Sequence, residues 1–561
     1  MMEWARDSLD RVAQTRETRL RENFPELSES EAETLLRKFH PDYTGRERPV
    51  RVGPQAGALQ CPPELADLLE ADSPVPEGFV PRPDLETDVL ILGGGGAGVA
   101  AALALQDSGL RVHLATKLRV GDANTVMAEG GIQAALGPGD SPRRHFADAY
   151  VGGHGRNRPD LLRVLVEEGG GAIDWLRRLG VLFDVQPDGA FRLRPGGGTS
   201  VPRVLACRDY TGLEIMRVLK DAVTAGPTGF LERHAAVELC DDGAGRVTGA
   251  VLWNLDTRAL VTVSARAVLL ATGGSGQLRL QSFPTSNHLG ATGDGLVLAW
   301  RQGCRLLHLD SFQYHPSGAS FPEALAGQLV TESIRSTGAQ LLNRLGRRFV
   351  AELSYRDVVA AAILREVQEG RGVETPAGRQ GVWLDTPMID RLQGEGTLAR
   401  QFPGLVHRFK RYDIHPEREP VLVYPTLHYQ NGGVEIDAEG RTGRPGLWAA
   451  GEVTGGLHGT NRLMGNSLLD IIVFGRRAAQ SIAADLPARG AVTLSALQAF
   501  RRQRQAAGEL PARTAPQLFP AVSGLVPDWA GPLRSSGASA ADAARRGADR
   551  SFEPPDPFAR S

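Results

Sequence analysis

The run "TDVLILGGGGAGVAAALALQDSGLRVHLATK", Thr87 to Lys117, constrains the fold of this chain more than any other. An apolar stretch leads into glycines, an alanine-rich stretch follows, and a second apolar stretch closes the run. That order predicts strand, glycine turn, helix and strand. Gly93, Gly95 and Gly98 stand at G-x-G-x-x-G spacing in that context, which is the context a dinucleotide-binding turn needs. Gly93 permits the tight turn, Gly95 lets the backbone approach a pyrophosphate, and Gly98 lets the helix pack on the strand. Gly96 and Ala97 open the helix, whose N-terminus favours phosphate. The second strand ends in Thr116 and Lys117, where an acidic residue would usually hold a ribose hydroxyl. The turn alone therefore does not choose the ligand.

Two later segments, "ARAVLLATGGSG" and "GLWAAGEVTGG", repeat the pattern of strand followed by glycines. Together they predict an α/β fold with a mostly parallel, doubly wound sheet. A length of 561 residues predicts more than one lobe. A formal net charge of -2 argues against nucleic acid as the main partner. Cys61, Cys207, Cys240 and Cys304 are scattered without a CxxC pair, so no metal or iron–sulfur site is expected within the chain. Scattered cysteines also fit a reducing compartment. The first residues are charged throughout, and no apolar run reaches membrane-spanning length, so a cytoplasmic chain without direct membrane insertion is expected.

Residues 1–84 read as a helical arm and linker. "WARDSLDRVAQTRETRLRENF" has helical composition, and Ser28 with Glu31 makes a capping box in "SESEAETLLRKF". "ADSPVPEGFVPRPDLET" is proline-rich linker. The arm is either packed on the surface or a docking segment for a partner.

The segments "ANTVMAEGGIQAAL", "ATGGSGQL", "ATGDG", "QYHPSG", "LVTESIR", "YRDVVAAAI", "PTLHYQNGG" and "GEVTGGLHGTNRLMGNSLLD" occur in one order. In this the chain resembles the flavoprotein subunit family of succinate dehydrogenase, fumarate reductase and L-aspartate oxidase, over roughly residues 87–484. The resemblance implies FAD. It places Thr116 and Lys117 beside the adenosine ribose, and Thr272, Asp294 and Glu452 at FAD-contacting positions. It places Asn124, Thr125, Ala128, Gly130 and Gly131 in the loop along the isoalloxazine, and Asn466, Ser467 and Leu468 near the flavin ring. Members in membrane complexes carry a histidine, bonded covalently to the flavin, where Asn124 stands. An amide cannot form that bond, so FAD is expected to be non-covalent. The implied layout is a FAD-binding domain in two parts, 85–316 and 425–486, with an inserted α+β capping domain at 317–424. Residues 487–561 remain as a short helical region around "LSALQAFRRQRQAA" and a disordered tail.

The resemblance also implies a dicarboxylate site. Arg462, His315 and His428 match carboxylate-binding residues, and a guanidinium fork suits that task. Ser317 stands where a threonine is usual, and Phe183 is a candidate aromatic against the substrate. Arg356 matches the proton donor, with Glu332 and Arg335 as its relay. Taken alone, each of these is an ordinary buried or capping residue. The segment "FRLRPGGGTS" is basic where aspartate oxidase places an acidic residue, which disfavours aspartate. The expected activity is interconversion of fumarate and succinate, or of a close dicarboxylate. An iron–sulfur protein subunit is the expected electron partner, and it would also attach the chain to the inner face of the membrane. The alternatives are a soluble oxidase of the L-aspartate oxidase kind and a non-catalytic FAD-bearing subunit.

Overall fold

The structure, a computed structural model, describes residues 2–508, 510 and 512–520. The expected disordered tail beyond residue 520 lies outside the described residues. The first strand, β1 (Leu85–Leu92), turns into the helix Gly96–Leu105, which leads to β2 (Val112–Thr116). Four further strands, β3 (Gly229–Glu232), β4 (His234–Asp241), β5 (Val247–Asn254) and β6 (Leu260–Leu270), complete the order β3-β2-β1-β6-β5-β4. The β3-β2-β1-β6 half is parallel, whereas β5 and β4 are antiparallel. The first half of β6 pairs with β5, and its last residues, Val268–Leu270, pair in parallel with Leu447–Ala449 from far along the chain. That long-range pairing closes the sheet with chain from the other side of an insertion. The C-terminal halves of β1 and β6, residues 89–92 and 267–270, are apolar and buried, as strands of a sheet covered on both faces are.

The insertion carries its own antiparallel sheet. β7 (Phe312–Ala319) pairs with β10 (Val421–Gln430), β10 with β9 (Gln380–Asp385), and β9 with β8 (Gln340–Leu342). A second hydrophobic core lies against this sheet, with Val359, Ile363, Phe402 and Phe409 among its members. The register of β7 slips between Gln313 and Tyr314 and again between His315 and Gly318. Such irregularities re-aim side chains and recur beside active sites.

The N-terminal arm spans both cores. Ser28 and Glu31 form the expected capping box at the start of helix Glu29–Phe39. The preceding helix, Arg6–Arg19, sends Arg16 and Arg19 to the fully buried Asp385, both at 2.8 Å. Leu35 and Leu36 enter the second core. Downstream, Arg48 and Arg51 converge on the buried Glu70, and Leu65, Leu68 and Leu69 enter the main core. No helix among the described residues is long and apolar enough to cross a membrane.

Candidate active site

A cleft opens at the C-terminal ends of the parallel strands, where a doubly wound sheet binds its ligands. It encloses about 1300 Å³ with its open mouth included, and its walls run from Gly93–Ala97 through Lys117 and Asn124 to His428 and Arg462. The glycine turn behaves as the spacing predicts. Gly93 has φ 122°, and a Cβ there would strike the Ala271 carbonyl. A Cβ on Gly98 would strike the Gly93 carbonyl, so this glycine packs the helix on the strand and lies behind the cleft wall. Gly95, by contrast, lines the cleft. A wall of glycine, small side chains and helix N-terminal amides fits a long, flat dinucleotide.

Thr116, Lys117, Thr125, Ala128, Thr272, Asp294, Glu452, Ser467 and Leu468 all line the same cleft. The acid absent from the end of β2 arrives from elsewhere in the chain. Lys117 Nζ lies 2.6 Å from Asp294 Oδ2 and 2.6 Å from Thr292 Oγ1. Asn124 is held at both ends of its amide. Its Nδ2 donates to Asn287 Oδ1 at 2.7 Å and Glu452 Oε2 at 3.1 Å, and its Oδ1 accepts from His288 N at 2.6 Å. Asn287 and His288 also line the cleft. They were missed in the sequence because "TSNH" has no residue pattern of its own.

Besides Gly98, three expected cofactor residues do not line the cleft. The Asn466 amide bonds the buried His145 at 2.9 Å, because the first turn of helix Asn466–Ala484 points it away from the cleft. Gly130 packs against Met464, and Gly131 fits beneath the Leu205 carbonyl. These two glycines shape the loop from behind.

Beyond Arg462 the cleft meets a buried polar cluster. Arg356, the first residue of helix Arg356–Gln368, donates from Nε to Glu332 Oε2 at 2.7 Å and from Nη1 to Gln313 Oε1 at 2.7 Å. Arg462 Nη2 reaches the same Gln313 oxygen at 2.9 Å, and its guanidinium sits 4.4 Å from the centre of the Tyr429 ring. Arg462 Nε is buried and has no hydrogen-bond partner. Arg335 Nη2 approaches Glu332 Oε2 at 3.4 Å, and Gly197 N donates to Glu332 Oε1 at 2.8 Å. The rings of His315 on β7 and His428 on β10 meet edge to face, 5.0 Å between centroids. Gln313 lies within the quoted "QYHPSG", two residues before His315, yet a lone glutamine carries no chemical signature in sequence.

Charge follows from burial here. Burial first, then Arg356 and neighbouring cations, holds the His315 and His428 imidazoles well below their ordinary pKa, so both are neutral at pH 7. Burial and the nearby Arg356 bring Arg462 down to about 10. Burial opposes ionisation of Glu332, but Arg356 and Arg335 overcome it and lower its pKa to about 2. The cluster therefore presents neutral imidazoles, guanidinium groups and one carboxylate that is tied to the arginines. Such a cluster can bind a small dianion.

Two expected substrate residues are not part of this cluster. The Ser317 hydroxyl donates to Val330 O at 2.8 Å, while its backbone N–H supports His315 Nδ1 at 3.2 Å. Phe183 packs edge to face on Phe191 at 6.2 Å in the main core, because a bridge between Val185 and Phe191 folds the segment back on itself.

The model of the family described as "FAD binding domain" matches residues 88–468. One subunit of the CoM/CoB fumarate reductase of Methanothermobacter marburgensis is 39% identical over 409 residues, 71% of this chain and 72% of that protein. The L-aspartate oxidase of Streptomyces coelicolor is 39% identical over 413 residues, 71% and 69% of the two chains. FrdA of E. coli quinol fumarate reductase superposes with a TM-score of 0.67 at 31% identity, covering 75% of this chain and 74% of that one. The chain is thus an FAD-dependent oxidoreductase, and it belongs to the flavoprotein family of fumarate reductases, succinate dehydrogenases and L-aspartate oxidases.

Proposed function

We propose that this chain interconverts fumarate, or a close dicarboxylate, with its saturated form, as a flavoprotein that exchanges electrons with an iron–sulfur subunit. The observation behind this reading is the meeting of Arg356 and Arg462 on Gln313, beside the neutral pair His315 and His428. FAD in the cleft supplies the hydride chemistry. Arg462, His315 and His428 bind and orient the two carboxylates. Arg356 gives a proton to the carbon facing it, and Glu332 with Arg335 holds the guanidinium and feeds the proton back. A guanidinium is a weak acid, so the role given to Arg356 rests on its placement, fixed by Glu332 and Gln313. Residues 317–424 act as a cap that carries Arg356 over the cleft and excludes water.

FAD is held non-covalently in this reading, because Asn124 offers no ring nitrogen and both ends of its amide are engaged. In this reading electrons are exchanged with a separate iron–sulfur subunit. That subunit would also provide any attachment to a membrane face from the cytoplasmic side.

L-aspartate oxidation is the second reading, since a relative of that name is as similar as the fumarate reductase chain. Recognition of an amine calls for a free carboxylate. Residues 191–200 instead carry Arg192 and Arg194, with Arg194 paired to Asp184 at 2.7 Å. Anaerobic reduction of the flavin followed by fumarate separates the readings. Rapid return of the oxidised spectrum, lost in Arg356→Lys with FAD retained, supports the first. Flavin bleaching by L-aspartate, with oxygen uptake and no response to fumarate, supports the second.

A further inference from the structure

The N-terminal arm lies outside the matched residues 88–468, yet its middle reaches the site. Asp42 Oδ2 accepts from Phe312 N at 3.0 Å, at the head of β7, the strand that carries Gln313 and His315. The His40 ring meets Tyr314 edge to face at 5.5 Å on the same strand. Asp42 N donates to His40 Nδ1 at 3.3 Å, so the two arm residues hold each other. Just before them, helix Glu29–Phe39 packs on helix Arg356–Gln368, and Leu35 and Leu36 share a core with Val359 and Ile363. The junction is also tied from the FAD-binding side. His154 Nε2 lies 2.6 Å from the carboxylate of Asp357, the residue after Arg356. Asp42 keeps 15% of its side-chain surface exposed, and burial raises its carboxyl pKa well above the usual range. An asparagine matches it in shape and keeps an acceptor oxygen for Phe312 N.

We infer that His40 and Asp42 of the N-terminal arm are positioning residues for the active site, holding β7 and the Arg356 helix in the register that brings Gln313 and Arg356 together. The inference rests on the proposed reading of Gln313, His315 and Arg356 as site residues. The bond from Arg356 Nη1 to Gln313 Oε1 joins a helix to a strand, and one short arm segment packs on that strand immediately after the arm helix packs on that helix. A structural arm with no such role would stabilise the whole chain without acting on these two elements in particular.

The test uses the full-length, FAD-loaded protein. Asp42→Ala removes the acceptor for Phe312 N, Asp42→Asn keeps an acceptor oxygen, and His40→Leu fills the space without the ring contact. Hydrogen exchange is followed in residues 312–319, 356–368 and 85–105, alongside flavin reoxidation by fumarate. Expected for Asp42→Ala is several-fold faster exchange in the first two segments and unchanged exchange in 85–105. The reoxidation rate constant should fall at least about tenfold at equal FAD content. Asp42→Asn should restore both, and His40→Leu should act in the same direction as Asp42→Ala. Arg37→Ala, at an exposed ion pair, should change nothing. Unchanged exchange in 312–319 and 356–368, exchange that rises equally everywhere, or failure of Asp42→Asn to restore would overturn the inference. If Asp42→Ala does not fold, His40→Leu and Asp42→Asn decide by the same readouts. If the unaltered protein does not respond to fumarate, the proposed activity falls, and the exchange pattern still decides the role of the arm.

Discussion

Arg356 and Glu332 meet at 2.7 Å, Nε to Oε2, with 5% and 1% of their surfaces exposed. Glu332 is ionised far below neutral pH, because Arg356 and Arg335 outweigh its burial. As a carboxylate it orients the Arg356 guanidinium, balances its charge and, in the proposed relay, returns the proton that Arg356 gives up. Glu332→Gln should keep FAD and slow dicarboxylate turnover about 10²–10⁴-fold, the range of a lost acid–base function. Arg356→Lys should cost as much or more, since an ammonium cannot reach Glu332 and Gln313 with one planar fork. Stopped-flow reoxidation of pre-reduced flavin measures both. A Glu332→Gln protein with unchanged rates would remove Glu332 from the relay.

Gln313 accepts from two guanidinium groups at one oxygen. It holds Arg356 and Arg462 close together without neutralising either. Gln313→Leu leaves both without that acceptor and should raise KM and lower kcat, together by about 10–100-fold in kcat/KM. Gln313→Glu adds an anion where a dianion must bind, so its effect should fall chiefly on KM. Steady-state kinetics with a reduced artificial donor separates the two. Equal kcat and KM changes in both variants would argue against this division of labour.

Lys117 and Asp294 form a largely buried pair on the cleft wall. In place of an acid at the end of β2, the fold brings one in from the start of a later helix. Asp294→Asn should weaken FAD binding by about 10–100-fold, the worth of a charge-assisted hydrogen bond. Fluorescence titration of FAD into the apoprotein reads this directly. The unaltered, FAD-loaded protein, precipitated in acid, should release all of its flavin to the supernatant, because Asn124 cannot hold it covalently. Flavin retained in the pellet would contradict that.

Much of this site was legible because its residues sit in contiguous strings. The glycine turn, "QYHPSG", "TESIR", "YRD" and "HGTNR" each carry their chemistry within a few positions. What was not legible depends on side-chain direction. Asn466, Ser467 and Leu468 are adjacent, yet helix geometry sends Asn466 to His145 and leaves the other two on the cleft. Phe183 sits in a plausible string, but a fold-back between Val185 and Phe191 turns its ring into the core. Asn287 and His288 become site residues only because the cleft brings them to Asn124, some 160 positions away in the chain. The arm illustrates the same limit. Its capping box could be read from sequence, but the reach of Asp42 to Phe312 could not.

The buried histidines set an acid limit on the fold. His40 and His145 are 4% and 0% exposed, and burial lowers each to about 4. Their folded pKa lies below the unfolded value of about 6.5. The stability they allow is therefore complete above pH 6.5 and falls as pH drops, because the unfolded chain binds protons that the folded one refuses. At about 1.4 kcal/mol per pH unit for each group, the loss reaches roughly 3 kcal/mol per histidine by pH 4. Glu332 adds to the loss below pH 4.5, since its folded pKa of about 2 is depressed in the carboxylate sense. Urea unfolding at pH 7.0, 5.5 and 4.5 should thus show a falling midpoint at nearly constant m. His145→Gln, which cannot take up a proton in either state, should flatten the slope by about 1 kcal/mol per pH unit between 6 and 4.5. A midpoint that stays level from pH 7.0 to 4.5 would mean that these imidazoles accept protons within the fold, His40 beside Asp42 and His145 beside Asn466.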